Sequence, residues 1–503
     1  MQYLIGVDLG TTATKAVLFE KSGKIIASSS QAYTLYRDAS GMAEEVLEDI
    51  FEAVLITIRE VSINLEEADE LLAVSFSTQM HSLIAFDKDW KPLSRVMTWA
   101  DTRAVKYTEQ LKESGKGFEI YKRTGTPLHP MAPLSKLLWL RAERPEIYKQ
   151  ASHYLELKGY IFYRLFGTNK IDLSTASGTG IFNIFELKWD EEALQLTGVN
   201  QNQLPQVVEP YEIEENMPHE FAKKMGIQSN TKFVWGAADG PLSNLGVNAI
   251  KPGVAAITIG TSGAIRVVTD RPRTDEKGRT FTYALDKNHW VVGGPVNSGG
   301  DVFRWARDQI FDSKLSFDEV TELASKIPPG SDGLLFHPYL GGERAPLWDA
   351  NARGSFFGLN YGHNRSHMVR SVLEGVMFNL YMVALSLVEV VGDLNMIQAT
   401  GGFTASPLWT QILADIFEQP INVPESREAG CLAAVVMAEK ALGLIDSLSV
   451  VDNMVGSNQT YQPNSETFEI YREITPIFIR LSRSLSSEYE NISNFQRRFE
   501  ENK

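Results

Sequence analysis

The chain has one cysteine in 503 residues, no basic excess, no low-complexity tract and no long apolar run free of polar residues. A lone Cys431 excludes an intrachain disulfide and fits a cytoplasmic setting. Its neighbours, Gly430-Cys431-Leu432-Ala433-Ala434-Val435, form an apolar helix-like run, so a buried, inert thiol is expected there. A formal charge of −15 argues against nucleic acid or an anionic membrane as partner, while a single anionic metabolite needs only a local basic pocket. The longest apolar stretch, residues 375–391, contains Asn379 and Glu389 and lies between Glu374 and Asp393. A buried core helix explains it better than a membrane span. The first residues enter a strand pattern at once, which leaves no place for a signal peptide.

What is present is an ordinary globular composition, 43% hydrophobic and 22% charged, in a chain too long for a single core. The most informative feature is a duplication. Gly6-Val7-Asp8-Leu9-Gly10-Thr11-Thr12 resembles Ala256-Ile257-Thr258-Ile259-Gly260-Thr261-Ser262, and each is followed by a second apolar run. Strand, tight hydroxyl-rich turn and returning strand make a hairpin whose tip suits phosphate oxygens. One such hairpin is a common surface turn. Two of them, each opening one half of the chain, point to two lobes and a shared polyphosphate. The turn Ile250-Lys251-Pro252-Gly253 marks the expected boundary, giving domains 1–249 and 250–503.

The first eighty residues read as a three-stranded meander, a helix from about Glu44 to Val61, and a strand from Leu71 to Ser77. That order suggests α/β architecture with mixed central sheets. Thr475-Pro476 is expected to cap a last helix with Leu481, Leu485, Ile492 and Phe495 facing inward.

Asp8 ends the first strand beside the phosphate turn, and a carboxylate aimed at a triphosphate needs a cation between them; it is the candidate Mg²⁺ ligand, held through water. Lys15, on the returning strand, is a candidate partner for a β- or γ-phosphate. Asp239 follows an apolar strand and precedes Pro241, a favoured first helical residue, so a helix N-terminus favours its ionised form. It suits a base that takes a hydroxyl proton, although taken alone a plain N-cap is the simpler reading. Gly401-Gly402-Phe403-Thr404-Ala405-Ser406 joins a strand to a helix and fits an adenine or ribose site, with Asn297-Ser298-Gly299-Gly300 before Arg304 a weaker signal of the same kind. Gln79-Met80-His81-Ser82 and Trp99-Ala100-Asp101-Thr102-Arg103 end strands and carry groups able to read a polyol.

Together these residues resemble the FGGY family of carbohydrate kinases, within the two-lobed actin-like, hexokinase-like ATPase fold of ribonuclease H-like domains. The similarity runs through Met131-Ala132-Pro133-Leu134-Ser135-Lys136-Leu137-Leu138-Trp139-Leu140 and through Gly354-Ser355-Phe356-Phe357-Gly358-Leu359 with His367-Met368-Val369-Arg370-Ser371-Val372-Leu373-Glu374. The resemblance implies ATP and Mg²⁺, with Asp8 and Asp239 at the metal and Asp239 as catalytic base. It implies Gly10, Thr11 and Thr12 as the first phosphate loop and Gly260 with Thr261 as the second. Gly300 and Arg304 would line the nucleotide site, and Gly402 with Ser406 would hold the adenosine. Gln79, Met80, His81, Trp99, Asp101, Arg103 and Met131 would form the sugar pocket, with His81 and Arg103 the candidates for a substrate carboxylate. Glycerol kinases carry Arg-Glu where this chain has Met80-His81, while xylulose kinases share Met-His. Several segments, among them Lys122-Arg123-Thr124-Gly125-Thr126-Pro127-Leu128-His129-Pro130, resemble the members that act on gluconate. The implied activity is ATP-dependent phosphorylation of D-gluconate at its terminal hydroxyl, with a homodimer implied by the family though no interface signature is visible. Competing readings are xylulose phosphorylation, an actin-like ATP switch without a sugar acceptor, and a non-catalytic sugar-binding regulator.

Overall fold

The computed structural model describes residues 1–311, 314–425 and 428–500. It is a mixed α/β structure in two compact units. The first unit holds Met1–Ile250, Thr269–Val291 and Ser426–Gly456; the second holds Lys251–Val268, Val292–Glu425 and Ser457–Lys503. The chain therefore divides near Ile250, but two later segments return to the first unit.

In the first unit β1 (Gln2–Leu9), β2 (Ala13–Glu20) and β3 (Ile25–Ala32) form the expected antiparallel meander. Next come α1 (Leu47–Ser62) and β4 (Glu70–Thr78), and later α2 (Pro133–Glu143) and the short α3 (Leu173–Ser177). Then β5 (Ile213–Glu214) and β6 (Lys232–Ala238) lead into α4 (Asp239–Gly246). The sheet order is β5-β6-β4-β1-β2-β3. β1, β4 and β6 are parallel, and Asp8 pairs with Ser77, Leu9 with Thr78 and Ala238 with Thr78. All three strands therefore end level, at one edge. Val7, Phe76 and Trp235 bury one face of this sheet against Phe51, Val54 and Ile58 of α1, which recur at helical spacing.

α1 starts three residues later than the helical pattern suggests. Ala43–Glu45 is instead a short strand paired with Tyr36–Arg37 and with Val96–Met97, and Val46 stays extended. The tertiary pairing of 43–45 outcompetes helix extension, and it carries the Glu45 side chain into the interior.

The second unit repeats the plan. β7 (Val254–Ile259) and β8 (Gly263–Thr269) form the second hairpin, and α5 (Gly300–Ile310) and α6 (Arg365–Val391) follow. β9 (Met396–Thr400), α7 (Pro407–Phe417), β10 (Ile421–Pro424) and β11 (Ser457–Tyr461) complete the sheet, five of whose strands run β8-β7-β9-β10-β11. As β1 pairs in parallel with β4, so β7 pairs in parallel with β9. α6 is the one helix among the described residues apolar and long enough to cross a membrane, and 83% of its most apolar window is buried in the protein.

The last helix, α8 (Ser465–Glu500), begins ten residues before Thr475-Pro476, so Pro476 lies inside it rather than at its start. Pro476 is on the exposed side, where water can serve the carbonyl left without its N–H donor. Its inward stripe is Tyr471, Thr475, Phe478, Ser482, Tyr489 and Ser493, whereas Ile492 and Phe495 are exposed. Polar contacts set that rotation: Ser482 pairs with the Tyr339 hydroxyl at 3.0 Å, and Arg353 donates to Ser493 at 2.7 Å.

The helix Ala429–Ala441 lies against β1 and α4 because a glycine in each lets backbone meet backbone. A β-carbon on Gly6 would sit 2.1 Å from the Cys431 carbonyl oxygen, and one on Gly246 2.0 Å from that of Ala429. Cys431 is buried, and desolvation pushes its thiol well above the usual range, consistent with an inert residue. Gly6→Ala should therefore cost about 1–3 kcal/mol of stability, typical of overpacking, measured by urea unfolding. An unchanged midpoint would show that the helix can shift outward freely.

Candidate functional site

The level ends of β1, β4 and β6 deliver Asp8, the 79–81 segment and Asp239 to one edge of the first unit. Asp8 lies opposite Lys15 across the hairpin, whose tip is closed by the Gly10 N–H donating to the Ala13 carbonyl at 3.1 Å. Burial raises the Asp8 carboxyl above its ordinary range, against the pull of the Ser77 hydroxyl and Lys15. A β-carbon on Gly430, in the first turn of the helix Ala429–Ala441, would be 3.6 Å from the Asp8 carboxylate carbon. Asp8 therefore faces a helix N-terminus at close range, a field that favours anions. Lys15, expected to meet a phosphate, instead donates to both oxygens of Glu428 at 3.0 Å. A single buried carboxylate beside a phosphate-type turn suits Mg²⁺, which takes one or two carboxylates and completes its shell with phosphate and water. Consistent with that sparse donor set, no group of three acidic, His or Cys side chains is placed to hold a metal among the described residues.

Asp239 opens α4 and is exposed; Ala238, not Asp239, occupies the N-cap position. Its Oδ1 accepts the Gly240 N–H at 2.7 Å. Pro241 thus stands at the third helical position, not the first, which is tolerated because that N–H has no intrahelical acceptor.

Met80 is buried and His81 half-buried, and His81 has φ of 66°, a left-handed conformation uncommon outside glycine. His81 Nδ1 lies 2.7 Å from the Gly178 carbonyl, so Nδ1 carries the proton and donates, and Nε2 faces the Tyr283 hydroxyl at 3.4 Å. Met131 is buried just before α2. Lys136 of α2 is fully buried and donates to the carbonyls of His81, Met97 and Thr98 at 2.5, 3.2 and 2.7 Å, which ties the segments around His81 and Thr98 together. Desolvation lowers its ammonium to about 7.

Gln79 faces inward rather than toward a ligand. Its amide donates to Glu45 at 2.9 Å, while its carbonyl accepts from the Thr11 hydroxyl at 3.1 Å. The Trp99 indole in turn donates to Thr11 at 2.8 Å, so one hydrogen-bonded chain runs Trp99–Thr11–Gln79–Glu45. Trp99 is 38% exposed and keeps a free ring surface at this edge. Asp101 and Arg103 differ most from expectation. Asp101 accepts from the Ala43 N–H and from Arg103, whose guanidinium also bonds Glu44 at 2.5 Å and covers the Trp139 ring at 4.3 Å. These two residues engage each other and the protein, which buttresses the Trp99 loop instead of presenting a cation.

In the second unit, Gly260, Thr261, Gly300, Arg304, Gly402 and Ser406 all line one cavity of about 550 Å³. Phe303, Phe317 and Trp409 supply its apolar walls. That size and polarity suit a nucleoside. Gly300 donates its N–H to the Gly260 carbonyl at 2.7 Å, and a β-carbon on Gly401 would fall 2.2 Å from the Ile259 carbonyl oxygen. Ser406 caps α7 by accepting the Trp409 N–H at 3.2 Å. The loop before Gly300 is fastened by Glu343, which the sequence did not single out. This buried carboxylate accepts from the Asn297 N–H at 2.5 Å, the Ser298 hydroxyl at 2.6 Å and the Asn379 amide at 2.8 Å. Asn379 on α6 was the only local hint of that network.

Glu45 was missed for a different reason: helical patterning hid its strand pairing. Burial raises its carboxyl to about 8, whereas its ordinary value is 4.5. The folded chain therefore holds a proton that the unfolded chain releases, and wild-type stability falls as pH rises between those values. Glu45→Gln cannot ionise, so its stability relative to wild type should increase from about pH 5 to about pH 8.5 in urea unfolding. A constant difference would mean that Glu45 stays ionised throughout.

Comparison with known proteins identifies the family and the fold. The profile of the FGGY family of carbohydrate kinases, N-terminal domain, matches residues 3–246, and that of its C-terminal domain matches residues 255–442. The gluconokinase of Bacillus subtilis (strain 168) is 49% identical over 505 aligned residues, covering 98% of each chain. The crystal structure of gluconate kinase from Lactobacillus acidophilus superposes with a TM-score of 0.95 at 42% identity, covering 98% of this chain and 99% of that one. The ligand-bound xylulose kinase from the same organism gives 0.95 at 41% identity, covering 98% of this chain and all of that one.

Proposed function

The chain belongs to the FGGY family of carbohydrate kinases, and from that premise we propose that it transfers the γ-phosphoryl group of ATP to D-gluconate, giving 6-phosphogluconate. It is a carbohydrate kinase with the two-domain fold of the actin-like, hexokinase-like ATPases. The observation that carries the gluconate reading is the full-length, near-half identity to a gluconokinase. Xylulose is the second reading, favoured by the equally close fold of a structure described as a xylulose kinase.

In this reading the second-unit cavity takes the adenosine, with Gly402, Ser406 and Arg304 among its lining residues. Gly10 and Gly260 close their turns by donating to the Ala13 and Ser262 carbonyls, which leaves the N–H groups of Thr11 and Thr12 with the Thr12 hydroxyl to meet phosphate oxygens, and the N–H and hydroxyl of Thr261 to do the same from their own hairpin. Asp8 and Asp239 would hold Mg²⁺ through water, and the bound ion would supply charge neutralisation for the transferring phosphoryl group. Lys15 acts through Glu428, keeping that carboxylate from repelling phosphate.

Asp239 accepts the proton of the attacking primary hydroxyl, and its helix N-terminal position supports the ionised form this needs. Met80, His81, Trp99 and Met131 shape the acceptor pocket. The substrate carboxylate falls to neutral donors, since the Arg103 guanidinium is already engaged and His81 spends its Nδ1 proton on the Gly178 carbonyl. Phosphoryl transfer relies chiefly on alignment and charge neutralisation, which is what rigid loops at level strand ends provide.

Two outcomes test this. A coupled ADP-release assay should give its highest kcat/KM with gluconate, ahead of xylulose, ribulose and glycerol, and little turnover without sugar. Xylulose in first place would replace the substrate, and sugar-independent turnover would favour an ATP switch. Asp239→Asn should lower kcat by roughly 10²–10⁴ with the unfolding transition unchanged. Near-normal turnover would remove the base assignment.

A further inference from the structure

The short helix α3 and Gly178 after it touch the residue before the proposed base and the proposed acceptor-reading residues. Asp172 caps α3, accepting the Thr175 N–H at 3.0 Å and the Thr175 hydroxyl at 2.7 Å. The Lys158 ammonium lies 2.7 Å from the same carboxylate, with both side chains fully buried. Three bonds leave this anchored turn. Ser174 Oγ accepts the N–H of Ala238, the residue before Asp239, at 3.1 Å. Ser177 Oγ accepts the Ala284 N–H at 2.9 Å, beside Tyr283. The Gly178 carbonyl takes the His81 Nδ1 proton at 2.7 Å.

Gly178 has φ −88° and ψ 0°, open to any residue, so its backbone does not require glycine. Space does. A β-carbon there would lie 2.4 Å from Met80 Cε, with His81 Cε1 next at 3.5 Å. The atom in the way is the tip of a flexible side chain, so alanine fits only if the Met80 methyl moves. The left-handed backbone at His81 leaves that residue little freedom to follow.

We propose that Gly178 is a specificity-determining position, whose missing side chain lets Met80 and His81 take their places, and that Ser174 on the same turn is a positioning residue for Asp239. The inference rests on the proposed reading of Met80 and His81 as acceptor residues and of Asp239 as the base. A β-carbon at 178 moves the wall that contacts sugar and leaves the nucleotide cavity untouched. Loss of the Ser174 hydroxyl leaves the Ala238 N–H unsatisfied and loosens the strand end from which the base projects.

The test uses the full chain as wild type, Gly178→Ala, Met80→Ala, their double variant and Ser174→Ala. Kinetics are measured on whichever polyol the wild type turns over fastest, so a wrong substrate assignment does not disturb the result. Gly178→Ala should raise the acceptor KM at least about tenfold while the ATP KM stays within about twofold. In the Met80→Ala background the same change should add less than about twofold, since the obstructing methyl is gone. Ser174→Ala should lower kcat at least about tenfold with the acceptor KM within about threefold. A wild-type acceptor KM for Gly178→Ala, or an equal effect in both backgrounds, overturns the role of Gly178. So does a Gly178→Ala chain that fails to fold, because the Met80 tip would then not be the part that yields. An unchanged kcat in Ser174→Ala overturns the positioning role. Failure of the base assignment would show separately, as turnover retained by Asp239→Asn.

Discussion

Everything at the candidate site depends on the hydrogen-bond register that sets β1, β4 and β6 side by side in parallel. Because Asp8 pairs with Ser77 and Thr78 with both Leu9 and Ala238, the three strands stop at the same height. Residues remote in sequence then emerge within two strand spacings of each other, roughly 10 Å. A slip of one residue in either ladder would turn Asp8 or the approach to Asp239 to the opposite face of the sheet. The second unit uses the same device for a different end: β7 and β9 finish level and present Gly260 and Gly402 to one cavity.

Two materials hold these ends in place. The first is glycine used for proximity, at Gly6, Gly246 and Gly401, where any side chain would collide with a neighbouring carbonyl. The second is the buried carboxylate satisfied by neutral donors. Glu45 takes the Gln79 amide and so reaches the Thr11 turn, and Glu343 takes Ser298, Asn297 and Asn379 and so holds the approach to Gly300. A carboxylate accepts several hydrogen bonds at once, which suits it to gathering loops. In a low-dielectric interior each of those bonds is costly to leave unmade.

The paired Gly-Thr hairpins, the strand before Asp239 and the Gly401–Ser406 turn were legible because turn chemistry and apolar alternation act over a few residues. The charged residues near strand ends were not. Arg103 and Lys15 look like ligand-facing cations, yet Glu44 and Glu428 reach them from distant segments and engage their donors. Ile492 and Phe495 look like core residues on a helical wheel, but Tyr339 and Arg353 turn α8 so that serines face inward. Burial of a polar residue is visible only once its partner is known.

By itself the sequence determined the local elements, the duplication, the family and the kind of chemistry, since each is written in short-range patterns of size, polarity and backbone freedom. Only the tertiary structure decided that Glu45 lies in a strand, that the helix Ala429–Ala441 belongs with β1, and that Gly178 leaves room for Met80. Those outcomes turn on contacts between segments far apart along the chain. Steric fit and hydrogen-bond competition settle them in three dimensions, and no window of neighbouring residues contains both partners.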